Sequence, residues 1–396
     1  MVEAIFKRDE LKNRLDQLQE SINAQGLDGV LLLQRADLIY YTGAAFQGAL
    51  IIPASGQSQL FVWRGQGRIS SECPLEPLIV KGFGKLTLAL KEAGVGQWKK
   101  VGWEEDVVPV SWFKRIMGQV WPDAESVDIS NTIRVQRSVK SESELDLIRE
   151  SGKIITAGFQ ALKTILKEGI PEYEAQAQMD VAMRRAGDQA GGRTRGFNAE
   201  ARGVVSAGNS ASTISVFDGP IGQPGRNPLA PFGAGNGIIS RNMPIIADHT
   251  AGYNGYMTDM TRTYYIGEIG SKFVDAHNFC VELHKEILKK MVPGAIPSEI
   301  YLWTLEEAEK AGYGDHYMNY GPNKVRFLGH GVGIELDEWP VLAKPFRDPL
   351  EKGMVVAVEP KIIFPDGGVG VEDTVIVGEN EVEVVTPMEY ELIKVG

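Results

Sequence analysis

Hydrophobic residues in the first third of the chain form one helical stripe followed by short apolar runs. Leu11, Leu15, Leu18 and Ile22 recur at helical spacing, and the stripe stops at Gly26. The apolar runs, bounded by turn residues, predict strands. These strands lie at 29–33, 50–52, 59–63, 78–80 and 101–103, with a helix at 86–93. This order predicts an α/β domain with a core of its own.

A second domain begins near residue 140. Ser141 and Glu144 have the spacing of a capping box, in which each side chain satisfies a backbone amide at the start of a helix. The helix that follows carries apolar residues on one face and stops near Gly169: Leu145, Ile148, Ile155 and Phe159. We therefore expect the boundary within 131–140, and domains of 1–135 and 136–396.

A predicted β-hairpin brings two aspartates onto one face. Residues 244–248 and 256–263 are apolar runs with interspersed polar residues, and Asn-Gly at 254–255 is a strong signal for a tight turn between them. With those two residues as the loop, Asp248 faces Thr261. Asp259 is then a diagonal neighbour of Asp248 on the same face. Two carboxylates converge on one side of this hairpin.

A second hairpin repeats the arrangement with two glutamates. If Asp-Gly at 366–367 forms the turn, Lys361 faces Glu372 and Glu359 faces Thr374. Glu359 and Glu372 are again diagonal neighbours on one face. Four carboxylates brought together would repel one another unless cations lay among them. Oxygen ligands with one imidazole, supplied by His330 in Gly-His-Gly, suit manganese, iron, cobalt or zinc.

The hairpins belong to a longer internal repeat. A helical segment opens at Ile-Pro in 170–171 and ends at Ala-Gly in 186–187, and another opens at 296–297 and ends at 311–312. The spacing leaves roughly 12 to 15 extra residues in the first half, and the Gly/Pro-rich stretch 219–237 tolerates such an insertion. Two α/β halves related by a pseudo-twofold axis would place all four acids at their shared centre.

These motifs resemble the creatinase/prolidase/methionine aminopeptidase family. The resemblance rests on Asp-x10-Asp with Thr-Arg-Thr, Gly-His-Gly-x-Gly, Glu-Pro and Glu-Asp-Thr, and it covers nearly the whole chain. Residues 37–43 resemble the N-terminal domain of prolidases, proline-specific aminopeptidases and creatinases. The fold class implied is α/β (α+β), a creatinase/prolidase-type domain followed by a pita-bread domain. The family's metal-ligand positions fall on Asp248, Asp259, His330, Glu359 and Glu372.

The resemblance also implies roles for these residues. Asp259 and Glu372 would bridge two divalent ions, Asp248 would complete one site, and His330 with Glu359 the other. Glu359 is the candidate proton shuttle. Thr261 and Thr374 either hydrogen-bond the ligating acids or only satisfy β propensity. A homodimer is also implied.

The chain departs from the family pattern at substrate-contacting positions. A histidine expected near Ile214 is absent, and the position seven residues after His330 holds Asp337. Asp337 could accept a hydrogen bond from a substrate ammonium or act as a base. Lys361 replaces a usual glycine; its ammonium could bind a substrate carboxylate, replace one metal cation, or reach the surface. Gly370 stands where relatives often have arginine.

One other histidine is a candidate for substrate binding. His316 precedes the Gly-His-Gly segment and could line the pocket.

Composition narrows the class of protein. The chain has 396 residues, 43% hydrophobic and 23% charged, which is typical of globular domains. A net charge of −11 argues against nucleic-acid binding. With two cysteines far apart, and no signal segment or apolar run of membrane-spanning length, we expect a cytoplasmic protein without membrane contact.

The leading hypothesis is a metal-dependent aminopeptidase or dipeptidase of Xaa-Pro type acting on small peptides. The alternative is a non-peptidase hydrolase or lyase on the same fold, acting on a small cationic or amide substrate; the missing histidines and Asp337 favour it. An inactive binding module is a third reading, which retention of all five ligands disfavours. The sequence leaves open the native metal, whether one or two ions bind, the substrate, the oligomer and the role of 219–237.

Overall fold

The chain folds into two compact units. The computed structural model describes residues 4–189, 191–198, 200 and 202–396. The first unit spans Met1–Gln136 and the second spans Arg137–Gly396. None of the helices in these described segments is long and apolar enough to cross a membrane.

The first unit is built on one mixed sheet of six strands, β4-β3-β2-β1-β5-β6. The strands are β1 Gly29–Leu32, β2 Gln47–Pro53, β3 Gln59–Arg64, β4 Pro77–Ile79, β5 Lys100–Trp103 and β6 Glu125–Asp128. The helices are α1 Arg8–Ala24, α2 Arg35–Thr42, α3 Leu86–Glu92, α4 Val110–Val120 and α5 Ser130–Ser138, the last of which crosses the division. The predicted strands and two predicted helices are confirmed; α2, α4, α5 and β6 were not predicted.

The helical stripe of α1 is buried as its spacing indicates. Leu11, Leu15, Leu18 and Ile22 are each at most 5% exposed. Burial of these side chains removes apolar surface from water, which stabilises the docking of the helix.

The second unit repeats one order of elements: two helices, a strand and a long hairpin. Its helices are α6 Glu142–Ile165, α7 Glu172–Ala186, α8 Ser271–Lys290 and α9 Pro297–Lys310. Its strands are β7 Val204–Ala207, β8 Pro244–Tyr253, β9 Tyr256–Ile266, β10 Phe327–Gly331, β11 Glu338–Ala343, β12 Val355–Val358, β13 Lys361–Phe364, β14 Gly367–Gly370, β15 Asp373–Val377, β16 Val382–Val384 and β17 Ile393–Val395.

The helix boundaries of this unit follow the sequence signals. Ser141 and Glu144 form the capping box at the start of α6. Gly187 ends α7 in the left-handed conformation, with φ of 111°, which glycine adopts without strain. The stretch 219–237 lies between β7 and β8 and contains no helix or strand.

The first hairpin and the base of the second lie in separate sheets, and the tip strands of the second, β13 and β14, form a two-stranded sheet of their own. One sheet has the order β17-β9-β8-β7 and the other β11-β10-β12-β15-β16. In each sheet a strand that follows two helices pairs with the first long strand of a hairpin. This repeat of order is the one that the sequence predicted.

The register of the first hairpin is confirmed. Asp248 pairs with Thr261, Thr250 with Asp259, and the loop is the Asn-Gly pair at 254–255. Asn254 and Gly255 both have positive φ, 47° and 95°, as this tight turn requires.

The register of the second hairpin was predicted wrongly by two residues. Lys361 pairs with Gly370, and Phe364 with Gly367, so Pro365 and Asp366 form the turn. The diagonal placement of Glu359 and Glu372 was therefore wrong: Val358 pairs with Asp373, which puts the two glutamates at opposed positions. Because the error is an even number of residues, each side chain keeps the predicted face.

Candidate metal centre

The two hairpins meet directly beside the carboxylates. The amide of Thr261 donates to the carbonyl of Glu372 at 3.3 Å, and the amide of Glu372 donates back at 3.1 Å. Asp248 lies on β8, Asp259 on β9, Glu359 directly after β12 and Glu372 directly before β15. The four predicted acids therefore converge, although they come from two sheets.

A buried arginine fastens this junction. The guanidinium of Arg262 donates to the carbonyls of Thr261 at 2.9 Å and Glu372 at 2.8 Å, and to Oδ1 of Asp373 at 2.8 Å. Arg262 and Asp373 are both fully buried. Since these contacts link β9 to β15, they hold Asp259 and Glu372 at a fixed separation.

Two threonines contribute to the same junction. The hydroxyl of Thr261 donates to Oε2 of Glu372 at 2.7 Å, which leaves that carboxylate little rotational freedom. The hydroxyl of Thr374 instead donates to the backbone carbonyl of Asp259 at 2.9 Å and accepts from the amide of Asp259 at 2.8 Å. Both threonines thus make hydrogen bonds at the site, one to a carboxylate and one to the backbone.

His330 is oriented with one ring nitrogen facing the acids. Its Nδ1 lies 3.0 Å from the carbonyl of Leu336 and 3.2 Å from that of Gly331, so it must carry the proton. In the neutral imidazole Nε2 is the unprotonated nitrogen, and it lies 3.8 Å from Oδ2 of Asp259 and 4.0 Å from Oε1 of Glu359. This is the arrangement in which a histidine ligates a metal through Nε2.

Lys361 reaches the centre of the cluster. Its Nζ lies 2.8 Å from Oδ2 of Asp248, 2.5 Å from Oε2 of Glu359 and 2.9 Å from Oε2 of Glu372. The side chain is fully buried, so the alternative in which it reaches the surface is wrong. All three of its N–H donors are engaged by carboxylates, which leaves none for a substrate carboxylate.

Burial and mutual repulsion raise the pKa values of the carboxyl groups in the cluster. Burial raises the pKa of Glu359 to about 8; the charge of Lys361 opposes the shift and that of Glu372 adds to it. The pKa of Asp259 is raised well above its ordinary value by burial and by Glu372 and Asp248. Burial alone would lower the pKa of Lys361, but Asp248, Glu359 and Glu372 outweigh it and raise the pKa, so the ammonium stays protonated. Added positive charge would stabilise the ionised acids.

One half of the cluster fits a divalent cation. Asp259, His330 and Glu372 each offer a ligand atom, and these atoms lie within 4.8 Å of one another. Two atoms bound to one ion at about 2.1 Å lie roughly 3–4 Å apart, which matches the separations at His330 Nε2. Oε1 of Glu372 is buried and has no hydrogen-bond partner among the described residues, as expected of a free ligand atom. The other half, between Asp248, Glu359 and Glu372, also has three ligand atoms within 4.8 Å of one another, and the ammonium of Lys361 lies among them.

A buried ion network holds the loop that orients His330. Arg137 lies 2.9 Å from Oε2 of Glu335 and 2.5 Å from Oε1 of Glu338, and Lys140 lies 3.2 Å from Oε2 of Glu338. We call these four residues the Arg137 cluster. The cluster fixes 335–338, whose member Leu336 accepts the hydrogen bond from His330.

Asp337 and His316 differ in their placement. Oδ1 of Asp337 lies 3.7 Å from Nδ1 of His330, and the Asp337 side chain is 46% exposed at the wall of the cavity. His316 does not line this cavity: its Nδ1 contacts the carbonyl of Ile363 at 2.9 Å and its ring packs against Phe364. The described structure thus brings Asp337, but not His316, to the carboxylates.

A cavity opens against the acids and continues outward. The inner part, of about 40 Å³, has room for a small ion or a few water molecules. Its walls include Asp248, Asp259, His330, Glu359, Asp337 and Arg202. An outer pocket of about 400 Å³ shares His330 and Asp337 with it and is walled by Phe197, Phe217, Phe232 and Phe327. Sequence reasoning missed Arg202, Phe197, Phe217 and Phe232 as wall residues, because they lie where the sequence carries little regular periodicity.

The fold and this site define a class of protein: a pita-bread hydrolase with a carboxylate–histidine centre for divalent cations. The chain belongs to metallopeptidase family M24, whose model matches residues 146–379. Residues 14–139 match the creatinase/prolidase N-terminal domain. Both assignments confirm the resemblance and the fold class predicted from the motifs.

Individual relatives span the whole chain. An Xaa-Pro dipeptidase of Pyrococcus furiosus is 25% identical over 392 residues, covering 97% of this chain and 100% of its own. The structure of an Xaa-Pro dipeptidase from Bacillus anthracis matches with a TM-score of 0.82 at 24% identity, covering 97% of this chain and 99% of that one. The prolidase structure from Pyrococcus horikoshii OT3 matches with a TM-score of 0.81 at 23% identity, covering 96% and 100%.

Proposed function

We propose that this protein is a metal-dependent dipeptidase or aminopeptidase that hydrolyses the N-terminal peptide bond of short Xaa-Pro peptides. The observation that carries the proposal is the converging set of Asp248, Asp259, His330, Glu359 and Glu372, with Nε2 of His330 directed at the acids. Full-length similarity to a protein named Xaa-Pro dipeptidase supports the substrate class. A bound divalent cation supplies Lewis-acid chemistry, lowering the pKa of water and polarising a carbonyl.

Glu359 is the residue placed to move a proton. Its Oε2 is engaged by Lys361 at 2.5 Å, while its Oε1 faces His330 across the cavity. Glu359 lines the inner cavity, so its carboxylate is within reach of a water held there and can take up and return a proton. Glu359 therefore accepts a proton from the attacking water and returns it to the leaving amine in the proposed reaction.

The cavity walls fit a short zwitterionic substrate. Arg202 lines the cavity beside Asp248 and Asp259, and its guanidinium can hold the C-terminal carboxylate of a dipeptide by paired hydrogen bonds. Asp337 is placed to accept a hydrogen bond from the substrate ammonium. The outer pocket of about 400 Å³, with its aromatic walls, is within the usual size range for small-ligand sites.

One observation favours a second function, hydrolysis of a small cationic amide that is not a peptide. Asp337 stands in place of a histidine and has no N–H to donate to an oxyanion, and Ile214, at the other such position, is 73% exposed and apolar. A site that lacks both imidazoles but offers a carboxylate suits a cationic substrate.

The test is turnover of a matched substrate panel. Protein loaded with manganese, cobalt or zinc would be assayed on Xaa-Pro dipeptides, Xaa-Ala dipeptides and small cationic amides. We expect cleavage of Xaa-Pro dipeptides, its loss in His330→Ala, and its loss on chelation. Cleavage confined to the cationic amides would replace the proposal with the second function, and no cleavage of any substrate by metal-loaded protein would contradict both.

A further inference from the structure

The ammonium of Lys361 lies where a cation shared by three carboxylates would lie. Asp248, Glu359 and Glu372 each place one oxygen within 2.9 Å of Nζ. The same three residues form one of the two groups whose ligand atoms come close enough to hold a metal ion. The lysine therefore occupies a position built from metal-ligating groups and does not lie on the periphery of the cluster.

The glutamates divide their oxygens between two places. Oε2 of Glu359 contacts Lys361, while Oε1 faces Nε2 of His330 at 4.0 Å. Oε2 of Glu372 contacts Lys361 and Thr261, while Oε1 has no hydrogen-bond partner among the described residues. Each glutamate thus offers one oxygen to the ammonium and keeps the other for the half that contains His330.

Asp259 belongs to the half with His330. Its Oδ1 accepts from the amide of Met260 at 2.9 Å, and its Oδ2 lies 3.8 Å from Nε2 of His330. Asp248, in contrast, directs Oδ2 at Lys361. Asp259 therefore lies beside His330, and Asp248 contacts Lys361.

The surroundings hold the lysine in place. Gly370 is its partner across β13 and β14, and a Cβ on Gly370 would lie 2.6 Å from Cγ of Lys361. The absence of a side chain at 370 is what leaves space for the stem of Lys361. Since the ammonium is fully buried, any rotamer that left the three carboxylates would strand a charge in the interior.

We propose that Lys361 is a built-in substitute for one of two metal ions, so that the centre binds a single divalent cation among Asp259, His330, Glu359 and Glu372. The inference deepens the proposed function and rests on it only for metal dependence. Lys361 acts as a positioning residue: its fixed charge orients Glu359 and Glu372 toward the one ion. The arrangement replaces an exchangeable cation by a covalently attached one.

The test is the metal content of the full-length protein. After loading with excess manganese and removal of free ion, elemental analysis of the wild type should give one ion per chain, with the electron paramagnetic resonance spectrum of isolated Mn(II). Lys361→Gly, which removes the ammonium and opens its space, should bind two ions and show spin coupling between them. Lys272→Ala is the matched control, because it removes an exposed lysine paired with Asp366 at 2.6 Å and should leave one ion.

A second variant keeps the test valid if Lys361→Gly does not fold. Asp248→Asn changes a residue whose Oδ2 contacts Lys361, so the variant should still bind one ion, whereas His330→Ala should bind at least tenfold more weakly. Two ions in the wild type, none, or one ion in folded Lys361→Gly would each overturn the inference. One ion in a protein that cleaves no peptide would leave the inference standing and remove the proposed function.

Discussion

Removal of Arg262 should destabilise the second unit because it leaves a buried carboxylate without its counter-charge. Arg262 and Asp373 are both fully buried, and their atoms lie 2.8 Å apart. Breaking such a pair by removing one partner costs about 3–5 kcal/mol, much of it from the stranded charge. Arg262→Met should therefore lower the free energy of unfolding by about that amount. It should also loosen the contact between β9 and β15 that positions Glu372.

Arg149→Met is the control, because it removes an ion pair with the same contact distance that is exposed instead of buried. Arg149 makes two contacts of 2.8 Å with Glu383, but the two side chains are 32% and 47% exposed. An exposed pair of this kind contributes about 0–1 kcal/mol. Hydrogen exchange of peptides from β9 and β15, followed by mass spectrometry across a urea series, measures the stability of this region. If both variants lose the same amount of unfolding free energy, or if Arg262→Met loses less than about 1 kcal/mol, the argument from burial is refuted.

Three further changes test the site and its support. Thr261→Val should weaken manganese binding about 10–100-fold by freeing Glu372 to rotate, and calorimetry showing wild-type affinity would contradict this. Arg202→Met should raise the KM for Xaa-Pro dipeptides roughly 10–100-fold but not for the matching dipeptide amides, which lack the carboxylate. Burial would raise the pKa of Glu338, but Arg137 and Lys140 outweigh burial and lower the pKa to about 2. The ionised carboxylate therefore stabilises the folded protein fully at pH values above the pKa of Glu338 in the unfolded chain. This stabilisation is lost as the pH falls through the pKa in the folded protein. Acid titration of the wild type should show a loss of roughly 3 kcal/mol from this group between pH about 4.5 and 2, and Glu338→Gln should lack that slope.

Local signals predicted most of the fold that positions the site. The stripe on α1, the capping box of α6 and the Asn-Gly turn at 254–255 each depend on residues close in sequence, and each is confirmed. The helix α2 escaped prediction because all but one of its eight residues are buried, so no polar face marks its period.

The turn of the second hairpin shows where local signals mislead. Two overlapping dipeptides, Pro365-Asp366 and Asp366-Gly367, both have turn chemistry, and only the first forms the loop. Gly367 instead begins β14, where a Cβ would lie 2.5 Å from the ring of Pro244. The choice between the two turns is therefore made by packing against β8, which is distant in sequence and invisible to a local rule.

The difference between local signals and long-range packing also explains which features of Lys361 were predicted from the sequence. Its face followed from strand alternation and survived the register error, because a shift of two residues preserves the side on which a side chain lies. Its three contacts did not follow, because Asp248 is 113 positions away and reaches Lys361 only where the two hairpins meet. That meeting depends on the buried Arg262, which donates to backbone carbonyls of both hairpins. The sequence pattern therefore predicts the face on which Lys361 lies. Its position among the carboxylates depends on the contact between the two hairpins.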